Sequence, residues 1–214
     1  TRHTNRIRSL LISQGVKIPV REGFGGLIRK CRIWDGSLLP KHMVSRLERE
    51  YQRLEIVREQ IRELEKQRRE TLRRSQDEKV EQVRQLMRLR GLAYNSSWLF
   101  VMEFFGWREF KNRRQVGSLA GLTPTPFESG DMGRELGIDK SGNPRVRTMA
   151  IEIAWCWLRF QPQSELSLWF ERRFGNGGKR ARRIGIVALA RRLLVALWRF
   201  TDQGVVPAGA VLST

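Results

Sequence analysis

The sequence predicts an all-α fold, in which a long helical or coiled-coil segment precedes a compact helical domain with a glycine-rich loop. Residues 41–90 contain neither proline nor glycine, and apolar residues recur there at helical spacing. No stretch of the chain has the sustained alternation that is typical of a half-buried strand. We therefore divide the chain into an N-terminal helix with an irregular linker (1–40), a long helix or coiled coil (41–88) and a C-terminal domain (89–214).

The N-terminal segment predicts a short basic helix. Ile7, Leu10 and Leu11 form an apolar stripe, and Gly15 is the residue type that commonly follows the end of a helix. Prolines and glycines between residues 16 and 40 predict irregular structure after it.

The long helix carries a short apolar seam. Leu47, Leu54 and Ile61 recur every seven residues, and Val57 and Leu64 follow Leu54 and Ile61 by three. This spacing is typical of the a and d positions of a coiled coil. Two interpretations stay open: a solvated helix packed on its own domain, or a coiled coil within the chain or between chains.

The C-terminal domain differs in composition, since six of the seven tryptophans lie in it. Residues 146–160 and 179–200 each predict an apolar helix, the second with basic clusters near its start and middle. Between residues 128 and 147 lies the loop, ESGDMGRELGIDKSGNPRVR, which combines glycines with positive charge. Glycine allows left-handed or crowded backbone, so this loop is the candidate functional segment.

The charge balance indicates a polyanionic partner. The chain has 41 Lys and Arg against 22 Asp and Glu, a net charge of +19. Such an excess is typical of nucleic-acid-binding proteins. A membrane is the rival, but Arg191 and Arg192 interrupt the apolar runs, which fall short of the ~20 residues that a bilayer requires. No membrane partner is therefore predicted.

The residue types argue against a metal or a triad centre within this chain. Cys31 and Cys156, with only His3 and His42, lack the usual spacing of a zinc site, and they fit a reducing cytoplasm. The carboxylates after residue 100 do not cluster on one helical face, as a self-contained metal nuclease would require.

A serine on the loop is the remaining candidate nucleophile. Ser129 precedes Gly130, and a serine surrounded by cations can attack a phosphodiester and form a phosphoserine ester. A Ser-Gly pair is also typical of a turn or a helix cap, so both interpretations stay open on the pattern alone. Ser141, in DKSGN, is the second candidate.

Several motifs resemble one known family. AGLTP at 120–124, Ser129-Gly130, and KSGN at 140–143 followed by Arg147 resemble the C-terminal domain of the insertion-sequence transposases called the IS-one-ten family. The opening RHTNRIRSLLISQGV and the closing segment 179–200 are also similar to that family, so the resemblance covers essentially the whole chain. Members of this family are bridge-RNA-guided DNA recombinases.

The resemblance implies an active site in two parts. Ser129 would be the nucleophile, with Ser141 as the fallback, while four acidic residues of a RuvC-like N-terminal domain would hold Mg²⁺. That acidic domain has no counterpart in this chain, so we expect no metal site here and no activity from the chain alone.

The resemblance also implies the partners: DNA, a guide RNA, and further copies of the chain joined through the helix 41–88. The protein would work in the prokaryotic cytoplasm, associated with the nucleoid. The residues predicted to bind nucleic acid are Arg134, Lys140, Asn143, Arg145, Arg147, Lys179, Arg180, Arg182 and Arg183. The alternatives are a non-catalytic RNA- or DNA-binding scaffold and a coiled-coil adaptor of a ribonucleoprotein.

Overall fold

The computed structural model describes residues 2–129 and 132–213, and for residues 126–129 and 132–136 it describes the backbone alone. The described chain is helical apart from one two-stranded hairpin and two isolated β-bridges. The all-α prediction is therefore confirmed, with the hairpin as its exception. The chain divides into two compact units, Thr1–Arg74 and Ser75–Thr214.

The first unit contains three helices: α1 (Arg2–Ile12), α2 (Phe24–Ile28) and α3 (Lys41–Arg74). Both α1 and α2 pack against the first half of α3. Leu11, Phe24 and Leu47 are among the side chains that fill the core between them. The irregular linker predicted before residue 40 is thus irregular only in part, because α2 forms within it.

A buried carboxylate joins α1 to α3. Glu50 is only 6% exposed, yet it accepts hydrogen bonds from His3 Nδ1 at 2.9 Å and Arg6 Nη1 at 3.0 Å on α1. Arg53 adds a third contact at 2.9 Å from within α3. The hydrogen bond with His3, and then the Arg6 guanidinium, lower the pKa of Glu50 to about 2 despite the opposing effect of burial. The carboxylate is therefore charged and fully partnered.

The helix predicted over 41–88 is interrupted. It ends at Arg74, and a second helix, α4 (Glu78–Met87), begins in the other unit. Asp77 caps α4 by accepting from Lys79 N at 2.8 Å, and the Ser75 hydroxyl oxygen accepts from Asp77 N. Such side chains offer the backbone an alternative to helix, so a helix can end without proline or glycine.

The second unit is built around one long helix. In chain order its elements are α4, α5 (Tyr94–Phe100) with a π-helical turn (Val101–Phe105), α6 (Arg113–Leu119), β1 (Pro124–Ser129), β2 (Met132–Ile138), α7 (Pro144–Phe160), α8 (Glu165–Phe170) with a π-helical turn (Glu171–Gly175), and α9 (Lys179–Gln203). The helices α4, α6, α7 and α8 all pack against α9.

The core of the second unit is apolar and contains few buried hydroxyl or amide groups. Trp157 and Phe170 are fully buried, and so are Leu193 and Leu197 of α9. Trp157 Nε1 donates to Ser164 Oγ at 2.8 Å, and that hydroxyl also caps α8 by accepting from Ser167 N. No helix among residues 2–129 and 132–213 is long and apolar enough to cross a membrane.

The glycine-rich segment is a hairpin rather than an open loop. Strands β1 and β2 pair antiparallel, with Pro124 opposite Ile138 and an irregular register between Pro124 and Pro126. The strand sequences, PTPFES and MGRELGI, have little alternation and contain proline and glycine, which disfavour strands. A two-stranded ribbon tolerates proline because both of its strands are edges.

Candidate nucleic-acid site at the base of the hairpin

Ser129 ends β1, where its backbone is opposite Met132. The side chains of Ser129 and Arg134 lie outside the described residues. Ser129 follows Pro124 by five residues, so it lies about 16 Å along the strand from the hairpin base at ~3.3 Å per residue. The described geometry of the site is therefore that of the base, from which the hairpin extends.

The hairpin base is closed by two chain segments that run side by side. Asp139 N donates to Thr123 O at 2.9 Å, and Asn143 N donates to Leu119 O at 3.1 Å. Gly121 has φ +66°, and a Cβ there would lie 2.6 Å from Arg147 Nη1. A Cβ on Gly142 would overlap the carbonyl oxygen of Leu119. Both glycines are therefore required by close backbone approach.

Arg147 joins these two segments from α7. Its Nη1 donates to Lys140 O at 3.0 Å, and more weakly to Gly142 O and Ala120 O at 3.4 and 3.5 Å. The sequence predicts a phosphate contact for Arg147. In the structure Arg147 Nη1 donates to backbone carbonyls, and these contacts stabilise the hairpin base; the phosphate contact stays a prediction.

Two further predicted residues also have partners within the domain. Asn143 caps α7 by accepting from Arg145 N at 2.9 Å and Val146 N at 3.3 Å, and Pro144 occupies the first turn. Arg145 Nη1 donates to Glu103 Oε1 at 2.9 Å in an exposed ion pair. An exposed pair of this kind is weak enough to be exchanged for a phosphate.

Ser141, the fallback nucleophile, has an exposed side chain beside the hairpin base. Its hydroxyl donates to Asp139 Oδ2 across Lys140, which has the left-handed φ of +63°. A serine or aspartate that bonds its near neighbours in this way is typical of a tight turn.

Three of the predicted cations meet in one cavity. A cavity of about 470 Å³ between the hairpin base and the first half of α9 is lined by Lys140, Arg180 and Arg183, together with Arg191. Its floor is apolar, formed in part by Leu122, Ile138 and Val187. The four cations surround an apolar floor, an arrangement suited to a sugar-phosphate backbone.

Lys179 and Arg182 do not line this cavity. Lys179 is exposed at the first turn of α9. Arg182 donates to Gly175 O at 3.3 Å, and its guanidinium lies over the Phe170 ring and 3.9 Å from Glu171. The predicted basic cluster of α9 is thus divided between two faces of the helix.

Arg191 belongs to the basic cluster in the middle of the predicted helix 179–200, but it is not among the residues predicted to bind nucleic acid. Arg180, Arg183 and Arg191 follow one another at i, i+3 and i+11, which places them on one helical face. This spacing is the sequence signal that groups Arg191 with Arg180 and Arg183.

In the described part of the chain, no three His, Cys, Asp or Glu side chains come together to hold a metal ion.

Residues 83–167 match the family described as "Transposase IS116/IS110/IS902 family". This segment, from α4 into α8, is therefore a transposase domain of that family, and it contains the hairpin and most of its base. The resemblance predicted from the motifs between 120 and 147 is confirmed for this domain.

Transposases are also similar to the chain at greater length. "Putative transposase y4rJ" of Sinorhizobium fredii is 41% identical over 223 residues, which cover 100% of this chain and 56% of that protein. "Transposase for insertion sequence element IS1328" of Yersinia enterocolitica is 25% identical over 205 residues, which cover 95% of this chain and 58% of that protein. The chain thus spans little more than half the length of these two relatives.

Proposed function

We propose that this chain is the coiled-coil and C-terminal part of a DNA transposase, in which Ser129 is the nucleophile. The observation that carries the proposal is the hairpin of the transposase domain, which ends β1 at Ser129 and has a cation-lined cavity at its base. The alternative is a scaffold that binds nucleic acid without chemistry.

The reaction is a phosphoryl transfer. The Ser129 oxygen attacks a DNA phosphorus, the bond from phosphorus to one strand oxygen breaks, and a phosphoserine ester forms. The serine hydroxyl loses its proton and the displaced strand oxygen gains one, so atoms and charge balance. The ester retains the energy of the broken phosphodiester, which a second strand's hydroxyl then uses to rejoin DNA.

The cations at the hairpin base would hold the strand during this transfer. Lys140, Arg180, Arg183 and Arg191 line one cavity, and positive charge on non-bridging oxygens is the main protein contribution to phosphoryl transfer. The Mg²⁺ implied by the resemblance would be bound by a separate acidic domain, and the cations of this chain would hold the strand.

A guide RNA would supply sequence selection by base pairing, while the protein grips backbone and shape. The net charge of +19 supports a polyanionic partner.

Further copies of the chain would meet along the second half of α3. The seam predicted from the sequence is divided there: Leu47 and Leu54 are buried within the first unit, whereas Val57, Ile61 and Leu64 are 37%, 49% and 53% exposed. We call the last three the exposed seam. Its a/d spacing favours a second copy as the partner.

Trapping of the covalent intermediate tests the nucleophile. The intact transposase, with guide RNA and a nicked DNA that cannot be religated, is expected to form a covalent protein–DNA adduct. Ser129→Ala should abolish the adduct, while the matched variant Ser141→Ala should retain it. An adduct that survives in Ser129→Ala and is lost in Ser141→Ala would assign the role to Ser141. Binding without any adduct would favour the scaffold.

A further inference from the structure

A second, larger basic surface lies between α6 and α9. A cavity of about 620 Å³ there is lined by five arginines: Arg113 and Arg114 of α6 with Arg191, Arg192 and Arg199 of α9. We call it the arginine groove. None of these five guanidinium groups forms an ion pair with a carboxylate elsewhere in the described chain, unlike Arg145 and Arg182.

The sequence of α9 explains why this charge is uncompensated. From Lys179 to Thr201 the helix contains no acidic residue. Glu165 lines an adjoining cavity with Arg192 and Arg199, but it forms no ion pair with either of them. Uncompensated arginines that converge on one concavity concentrate positive potential there, which attracts a polyanion.

Two contacts hold the guanidinium groups in position before any ligand binds. A Cβ on Gly117 would lie 3.2 Å from Arg191 Cδ, so the aliphatic part of Arg191 crosses α6 where there is no side chain. The Arg192 guanidinium lies 4.0 Å from the centre of the Trp169 ring, a cation–π distance. Partial burial, and then the charges of Arg191, Arg173 and Arg113, lower the pKa of Arg192. Arginines fixed in this way lose less side-chain entropy on binding.

Arg191 connects the groove to the hairpin. It lines the arginine groove and also the cavity at the hairpin base, with Lys140 and Arg183 on the far side. Residues 180–199 of α9 therefore carry the arginines of both cavities over about 28 Å of helix at 1.5 Å per residue. A strand that follows these arginines to the hairpin would pass through the groove.

We propose that the arginine groove binds the phosphodiester backbone of the DNA strand that leads to Ser129. This inference rests on the proposed function, because the serine identifies the strand as DNA. The absence of aromatic side chains from the groove lining favours backbone contact over base stacking. Ser118 and Thr123 supply hydroxyl groups that can also donate to phosphate.

The test is the salt dependence of binding by the whole chain. Arg113→Gln with Arg199→Gln removes two exposed groove charges, and duplex DNA is titrated over a range of salt concentrations. We expect weaker binding and a fall in the slope of log K against log salt of about 1.8, at about 0.9 for each phosphate contact. The matched control, Arg88→Gln with Arg159→Gln, removes two exposed charges outside the groove. Its slope should stay steeper than that of the groove variant.

Two further measurements distinguish DNA from guide RNA as the ligand, and the groove proposal from the proposal that Ser129 is the nucleophile. Neutral methylphosphonate linkages remove the phosphate charges, so wild-type protein should bind such a duplex no more tightly than the groove variant does. Loss of guide-RNA binding with unchanged DNA binding, or a slope equal to that of the control variant, would overturn the inference. Ser129→Ala should bind DNA with the same salt slope as wild-type protein. Failure of Ser129 to form an adduct would therefore not affect the test of the groove. Circular dichroism establishes that both double variants fold.

Discussion

Arg147 Nη1 donates to the carbonyl oxygen of Lys140 at 3.0 Å, across the base of the hairpin that carries Ser129. This contact joins α7 to the segment that closes the hairpin, beside Gly121 and Gly142. Arg147 therefore has a structural role beside the phosphate contact that the sequence predicts for it. The cations that remain available to phosphate at this base lie mainly on α9.

Arg147→Ala separates these two roles. Loss of the carbonyl contacts should destabilise the second unit by about 0.5–1.5 kcal/mol, because exposed and part-buried carbonyls lose a donor. The slope of DNA binding against salt should change little, since Nη1 is already directed at backbone carbonyls. Urea denaturation and salt titration measure the two effects.

The matched variant is Arg145→Ala, which removes an exposed ion pair with Glu103. It should cost at most about 1 kcal/mol. A slope that falls by about 0.9 in Arg147→Ala would mean that Arg147 contacts phosphate after all.

The Glu50 carboxylate predicts acid sensitivity of the first unit. Its pKa is lowered to about 2 in the folded protein, so its stabilising contribution is present above the ordinary carboxyl range and is lost as the pH falls toward 2. The stability advantage of wild-type over Glu50→Gln should therefore be constant near neutral pH and shrink below about pH 4.5.

Amide hydrogen exchange in α1 reports this local stability. Glu65→Gln, on the exposed part of α3, is the control and should match wild-type throughout. An advantage over Glu50→Gln that persists unchanged at pH 3 would show that the carboxylate contributes nothing through its charge.

Gln161 holds the C-terminal segment on the second unit. It is buried, donates to Arg90 O at 2.9 Å and Val211 O at 2.8 Å, and accepts from Val211 N at 2.7 Å. Gln161→Leu should cost about 1–3 kcal/mol for each backbone group left unpaired. Gln163→Leu, two residues on and exposed, is the control for unfolding measured by denaturant. Equal stability of the two variants would contradict the bridging role.

The exposed seam predicts association of the chain. Ile61→Lys places a charge at the centre of Val57, Ile61 and Leu64, so it should shift the chain toward monomer in light scattering after gel filtration. Gln60→Lys adds the same charge on another exposed face and should leave the mass unchanged. If wild-type protein is a monomer at every concentration tested, the seam does not join copies.

Local patterns predict much of this molecule. Helical spacing predicts α1, α7 and α9, because i to i+4 contacts are encoded within a few residues. The same local signals miss the end of α3 at Arg74, since Ser75 and Asp77 act through hydrogen bonds rather than as proline or glycine.

The sequence by itself determined the helical class, the excess of positive charge and the motif that contains Ser129. Only the tertiary structure decided that residues 124–129 pair with 132–138, that Arg147 Nη1 is directed at carbonyls, and that Arg113 and Arg191 line one groove. The physical reason is the separation along the chain between the residues that interact. Helices arise from neighbours along the chain, whereas the partner of a charge or of a strand is set by distant segments brought together by the core.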